Sequence, residues 1–224
     1  MSEWWTYRPS DLLMFSPRTY HRLFELINAE LWPLQIVAIA AGLAVVWLVW
    51  RGAGGRVVAA LLAAAWIFVG WAYHFERYAT IHTAAPYYAA GFAIQALLLV
   101  WCSVRRDGLG FDSRPAPMIR WSGWVLVAAG VVLYPLLAPL LGRPWTQAEI
   151  FGVAPDPTAV ATLGVLLLAK GRVALFVALP LLWCAITALT LWTVDAPEAA
   201  VPASALVLGA AMALGRWRAQ QILN

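Results

Sequence analysis

Five residues with metal-ligand or proton chemistry, His21, Glu25, His74, Glu76 and His82, stand beside apolar stretches of this chain. His74-Phe-Glu-Arg-Tyr-Ala-Thr-Ile-His82 is one short connection, and His21 and Glu25 are one helical turn apart near the N-terminus. Imidazole and carboxylate bind zinc, and imidazole binds copper or haem iron. A metal or haem set of His21, Glu25, His74 and His82 is therefore one chemistry on offer, although no tight ligand motif joins them. A polar vestibule of His21, Glu25, His74, Glu76, Arg77, His82 and Asp156 is a second. An ion-pair network of Arg77 with Glu76 or Glu25 that only fixes the loop is a third.

A further chemical feature is Gln147-Ala-Glu-Ile-Phe-Gly-Val-Ala-Pro-Asp-Pro-Thr158, where Pro155 and Pro157 bracket Asp156. Proline disfavours helix at the residue before it. The segment predicts a short helix near 146–152, an irregular elbow, and a half-helix from 158 capped by Thr158 or Asp156. Transporter sites are commonly built at such breaks. A substrate pathway would then use Asp156 and Thr158, with Gln95 and Tyr88 from a neighbouring span and His74, Glu76, Arg77 and His82 at the mouth. Tyr88, Gln95 and Cys102 recur every seven residues and share a helix face. Interhelical hydrogen bonds explain Gln95, Thr187 and Thr190 equally well, and a Pro-rich surface loop before a tilted span explains residues 147–158.

The elements that must position these groups follow from composition. Of the 224 residues 63% are apolar and 12% charged, and 14 are Trp. Runs such as Leu97–Trp101 and Val125–Leu133 leave no face for water, so a soluble domain is excluded. The expected fold is all-α: a polytopic transmembrane helix bundle. A span needs about 20 apolar residues. Candidates lie at 33–50, 56–74, 82–104, 121–141, 172–193 and 199–216, with a broken one at 147–169. The count is seven spans, or six if 158–169 does not cross. Pro135, Pro139 and Pro180 predict kinks.

Charge favours seven. One side then carries ten Lys and Arg with two acidic residues, and the other five with nine. The positive-inside rule makes the first side cytoplasmic, giving N-out/C-in topology in a bacterial inner membrane. Anionic lipid is the expected contact of the basic face. Six spans would reduce the bias to six against nine. Residues 1–32 form an outer tail, 33–218 the bundle and 219–224 an inner tail. Charges throughout residues 1–30 leave no apolar leader core. In that tail Ser16 and Pro17 predict a helix start. Tyr20, Leu23, Phe24, Ile27 and Leu31 then make an apolar stripe, so the helix lies on the membrane or packs over the helix mouths. No Asp, Glu, Lys or Arg falls centrally in any span, which speaks against a deep proton relay or voltage sensor.

Gly55-Arg56-Val57 with Trp66, and Gly171-Arg172-Val173 with Trp183, suggest a parallel repeat of three spans; chance similarity in an apolar alphabet is the alternative. Cys102 and Cys184 fit as small buried hydrophobes. No nucleophile–base pair, Walker A sequence or dinucleotide fingerprint occurs. A non-enzymatic protein without a cofactor is the favoured expectation, a metal- or haem-binding enzyme subunit its alternative, and no nucleic-acid partner is expected.

Phe15-Ser-Pro-Arg-Thr-Tyr-His-Arg-Leu-Phe-Glu-Leu-Ile-Asn28, Arg77-Tyr-Ala-Thr-Ile81 and Phe151-Gly-Val-Ala-Pro-Asp-Pro-Thr158 leading to Leu163-Gly-Val-Leu-Leu-Leu168 carry a resemblance. Together they resemble an uncharacterised family of small bacterial multi-span membrane proteins, sometimes labelled permeases. Relatives often place Cys between the two prolines. Asp156 in that position removes any thiol-based metal role the resemblance would imply. The resemblance implies topology and supplies no catalytic residue. Three functions follow as expectations: a transporter or channel for a small solute or ion, a metal- or haem-binding redox subunit, and an accessory subunit packing through Gly123, Gly130, Gly209 and Gly215. Homo-oligomerisation fits each.

Overall fold

The computed structural model describes residues 15–105, 108–111, 115–170 and 174–222, and among these it is helical with no strand. The chain runs α1 (Pro17–Glu30), α2 (Leu34–Trp50), α3 (Gly55–Val69), α4 (Ala85–Val104), α5 (Pro117–Ala128), α6 (Tyr134–Leu140), α7 (Pro155–Leu168), α8 (Ala174–Thr193) and α9 (Ala200–Ile222). Wide π turns continue α3 through Gly70–Phe75 and join α5 to α6 through Ala129–Leu133. The second lies just before Pro135, whose ring cannot sit against the carbonyl four residues back in a regular helix. Pro139 and Pro180 lie inside α6 and α8.

Five segments are long and apolar enough to cross a membrane: Gly55–Thr80, Ala85–Val104, Pro117–Leu140, Leu175–Thr193 and Pro197–Arg218. A sixth exists if α1 and α2, bent by 99°, count as one span. α2 alone has 17 residues, about 26 Å against a hydrocarbon core of about 30 Å. Ser16 Oγ accepts from the Thr19 N–H, with Pro17 in the first turn of α1, as the sequence predicts. Tyr20, Leu23, Phe24 and Ile27 are buried, so α1 packs across the end of the bundle.

The connections sort into two ends. At the α1 end, α1 meets the 75–84, 141–154 and 194–198 segments: Asn28 Nδ2 donates to the Thr146 and Ala148 carbonyls, and Arg77 pairs with Glu30. At the opposite end the Lys170 N–H donates to the Gly110 carbonyl and Arg216 to those of Leu166 and Leu167. Among the described residues the α1 end has four Lys or Arg and seven acidic residues; the opposite end has seven and none. Glu3, Arg8, Asp11, Arg106, Asp107, Asp112, Arg114, Arg172 and the Gly171-Arg172-Val173 arm of the suggested repeat lie outside the described residues.

α7 is the axis of the bundle. All 14 of its residues are buried, walled by α3, α5 and its π turn, α8 and α9. Glycine permits the closest approach. A Cβ on Gly164 would stand 2.6 Å from the Gly123 carbonyl oxygen and the Val127 nitrogen, and one on Gly130 2.5 Å from Ala161 N. These neighbours are backbone and cannot swing aside. Gly123 and Gly130, expected to meet a partner subunit, are thus spent on α7; Gly209 faces Leu181 and Leu163.

Gly164→Ala and Gly130→Ala should each lower stability by about 1–3 kcal/mol through overpacking. Gly91→Ala and Gly215→Ala, where a Cβ meets nothing within 4 Å, provide the contrast. Thermal unfolding midpoints in detergent check both pairs.

Candidate functional site

The break in the fifth apolar segment falls earlier than its prolines suggest. Trp145–Gln147 is a single 3-10 turn, residues 148–154 are irregular, and α7 starts at Pro155 rather than at 158. A proline in the first helical turn gives up an N–H that has no intrahelical acceptor, so Pro155 and Pro157 begin this helix. Ala154 occupies the cap position with no side-chain bond. Neither Asp156 nor Thr158 caps the helix.

Ala148, Glu149, Phe151, Val153 and Ala154 are buried. The Phe151 ring reaches Gly42, midway along α2, with Cδ1 3.1 Å from where a Gly42 Cβ would stand. Irregular backbone so deep in an apolar bundle needs internal partners. The Val153 and Ala154 N–H groups donate to the Ile150 carbonyl, at 3.0 and 2.8 Å. Thr158 Oγ1 accepts from the Gly152 N–H at 2.9 Å and donates to the Ala154 carbonyl at 2.7 Å. Gly152 takes φ +77°, a conformation side chains resist.

Asp156 emerges from this elbow 1% exposed. Its Oδ1 accepts from Trp183 Nε1 at 2.7 Å and its Oδ2 from Thr187 Oγ1 at 2.9 Å, both on α8. One turn and a half later, Trp66 of α3 donates to Thr162 Oγ1 at 2.9 Å. The two tryptophans singled out by the suggested repeat therefore hold α7 from two neighbouring helices, α3 and α8, and both pack on Phe92.

Above Asp156, toward α1, lies a second polar layer. His21 Nε2 meets Glu198 Oε1 at 2.5 Å, and Arg143 NH2 meets the same oxygen at 3.2 Å. Glu149 is 5% exposed, and its Oε2 has no partner. It lies within electrostatic reach of Asp156, Arg143 and Glu198. The Tyr134 hydroxyl and Arg143 Nε and NH1 are buried without partners as well. Glu198 thus meets one guanidinium and one imidazole, with Glu149 in electrostatic reach and both donors and acceptors left over. Buried ionised groups persist only when paired or hydrogen-bonded, so this layer is the most polar part of the interior. The expectation that no charged residue lies deep in the bundle is corrected here: Asp156, Glu149 and Glu198 arrive from loop-like sequence that the fold draws inward.

His74 is also displaced from the expected vestibule. It is 0% exposed and neither ring nitrogen has a partner. The π turn sets it among Phe92 (ring centroids 4.5 Å), Trp183 (4.7 Å), Tyr73 (5.0 Å) and Tyr88 (5.9 Å). Trp183 thus touches His74 with its ring and Asp156 with its N–H. His82 remains half-buried in its loop, packed on Tyr78. Its Nδ1 accepts the Ala84 N–H at 3.1 Å, and burial lowers its basicity below the usual histidine range.

The other expected residues are dispersed. Arg77 binds Glu30 at 2.6 Å and the Ala72 carbonyl rather than Glu76 or Glu25. Glu76 is exposed. Glu25 serves Arg22 and Gln147. Gln95 Nε2 donates to the Phe176 carbonyl on α8 at 3.1 Å, the interhelical bond that was its alternative. No group of three His, Cys, Asp or Glu among the described residues is arranged to hold a metal, so His21, Glu25, His74 and His82 do not gather. Glu149, Glu198, Arg143, Tyr134 and Trp183 join the site without having been singled out as site residues.

Among the described residues the class is an all-helical bundle in which five helices, or six with the bent α1–α2 pair, are long and apolar enough to cross a membrane, around a shorter enclosed helix. The chain belongs to DUF6064, a family of unknown function, which it matches over residues 18–224. No curated protein and no solved structure matches it.

Trp183→Phe removes one of the two donors on a fully buried carboxylate. It should destabilise the protein by about 2 kcal/mol, and Asp156→Asn, made in the same background, should recover part of that loss. Thermal unfolding of the single and double variants checks the coupling.

Proposed function

We propose that this protein is a small-solute or ion transporter or channel whose polar site surrounds Asp156, at the head of the enclosed helix α7. One observation carries the reading. A fully buried carboxylate stands where irregular backbone enters the bundle beside Ala38 of α2 and Ala65 of α3. Taking a carboxylate out of water is costly even with its two donors from Trp183 and Thr187, and an apolar side chain would fill the same place without that cost. Discontinuous spans are a recurrent way to place polar groups at membrane depth. The leftover donors and acceptors of Arg143, Tyr134 and Glu149 are groups a polar solute would satisfy.

The same reading takes seven crossings, with α7 and its irregular lead-in together making the fifth. The charge difference between the two ends supports an orientation with the α1 end outside and the Arg- and Lys-bearing end in the cytoplasm. In that frame α1 covers the outer mouth, and His21, Glu198 and Arg143 form the polar layer between it and Asp156. A solute entering from outside must pass α1 and this ion pair.

Stopped-flow light scattering of proteoliposomes, challenged in turn with glycerol, urea, ammonium chloride and potassium acetate, tests the reading. At least one solute should equilibrate faster than in protein-free vesicles. Asp156→Asn, keeping the wild-type unfolding midpoint to within a few degrees, should slow that flux by about tenfold or more, the effect of losing a charge-assisted contact. Flux no faster than in empty vesicles, or indifferent to Asp156→Asn, refutes it.

A further inference from the structure

Where α1 turns into α2, a notch of about 670 Å³ opens on the side of the bundle, bounded by the 145–150 segment. Its size suits part of an amphiphile. Trp32 and Trp145 form its walls, 66% and 61% exposed, and Ile36 and Ile39 line its depth, also exposed. Asn28 and Gln35 occupy its polar upper edge. Polarity therefore changes along the notch: amides lie at the α1 end, and Ile39 lies about 6 Å further along α2. Tryptophan belongs at the level of lipid headgroups and isoleucine in the hydrocarbon below.

Two observations select the head. Gln35 is 5% exposed, and its Nε2 is committed to Asn28, donating to the backbone carbonyl at 2.8 Å and to Oδ1 at 3.3 Å. Its Oε1 has no partner. An orphaned acceptor calls for a hydrogen-bond donor, and this one, itself covered, meets a donor in the notch once the amide turns toward it. None of the residues lining the notch is charged, so nothing there compensates a head with a net negative charge. The α1 end as a whole has seven acidic residues against four basic among those described. That field repels an anionic head and attracts an ammonium.

We propose that the notch binds an aminophospholipid of the bilayer, its primary ammonium donating to Gln35 Oε1 and its acyl chain lying along Ile36 and Ile39. The site rests on the chain's residence in a bilayer and is independent of the transport reading. It places a lipid against both α1 and the 145–150 segment, the elements above Asp156. A phosphatidylcholine lipid offers the same shape and net charge but has no N–H to donate.

Native mass spectrometry of the full chain, titrated with phosphatidylethanolamine, phosphatidylcholine and phosphatidylglycerol of matched chains, tests this without any transport assay. Phosphatidylethanolamine should be retained about fivefold over phosphatidylcholine, the weight of one net hydrogen bond, with phosphatidylglycerol weakest. Gln35→Leu should bring the first ratio close to one. Ile39→Trp, which fills the notch, should remove the preference too, whereas Leu97→Trp on the exposed face of α4 should keep it. Equal retention of the ethanolamine and choline lipids, preferred phosphatidylglycerol, or a preference that survives Ile39→Trp overturns the proposal. If Gln35→Leu fails to fold, the Ile39→Trp and Leu97→Trp pair decides alone.

Discussion

A backbone amide inside an apolar bundle has no water to turn to, and the arrangement around residues 148–154 follows from that. Seven residues leave helical geometry while running into the bundle beside Ala38 and Ala65, and each lost helical hydrogen bond needs a replacement. Thr158 and the Ile150 carbonyl supply several of them. Protein must then exclude lipid from every side, which is why α7 is buried along its whole length while the other apolar helices each show one face outward. The glycines at 123, 130 and 164 let the neighbouring backbone come close enough to complete the wall.

The enclosure gives the polar groups their meaning. On an outer face, Asp156 would be one more solvated loop acid. At the head of α7, with donors from Trp183 and Thr187 and a favourable helix dipole, it is a charge site isolated from solvent. His21 belongs to the same logic. Its partner Glu198 lies 177 positions away, so the amphipathic helix α1 is held to the far end of the chain and closes over the site. The 99° turn between α1 and α2 lays α1 across the bundle instead of extending it into a longer span.

Much of the architecture was legible in local sequence. Apolar runs located the long helices to within a few residues, because hydrophobic length is a property of consecutive residues. The Ser16-Pro17 start and the Tyr20, Leu23, Phe24 and Ile27 stripe were equally local. Two local inferences missed in part for identifiable reasons. The expected break is present but ends at Ala154 instead of running to Thr158, because the first turn of a helix accepts Pro155 and Pro157 freely. Arg77 was paired with Glu76 or Glu25, whereas the salt bridge goes to Glu30, further along α1, and which acid of that helix faces Arg77 is set only by packing.

Sequence by itself determined the solvent, the helical class, and a charge imbalance that separates two ends, since these depend on composition and on spacing along one chain. Tertiary structure alone decided which polar residues share the interior. Glu149 and Glu198 sit in stretches that read as loops, and His74 closes an apolar run, so nothing local marks them as buried. Their environment is set by α1 covering the bundle and by residues 148–154 folding inward, both products of long-range packing. Burial depends on what the rest of the chain places around a residue. Spacing cannot report it, and for the same reason the histidines that looked like one group became three separate environments.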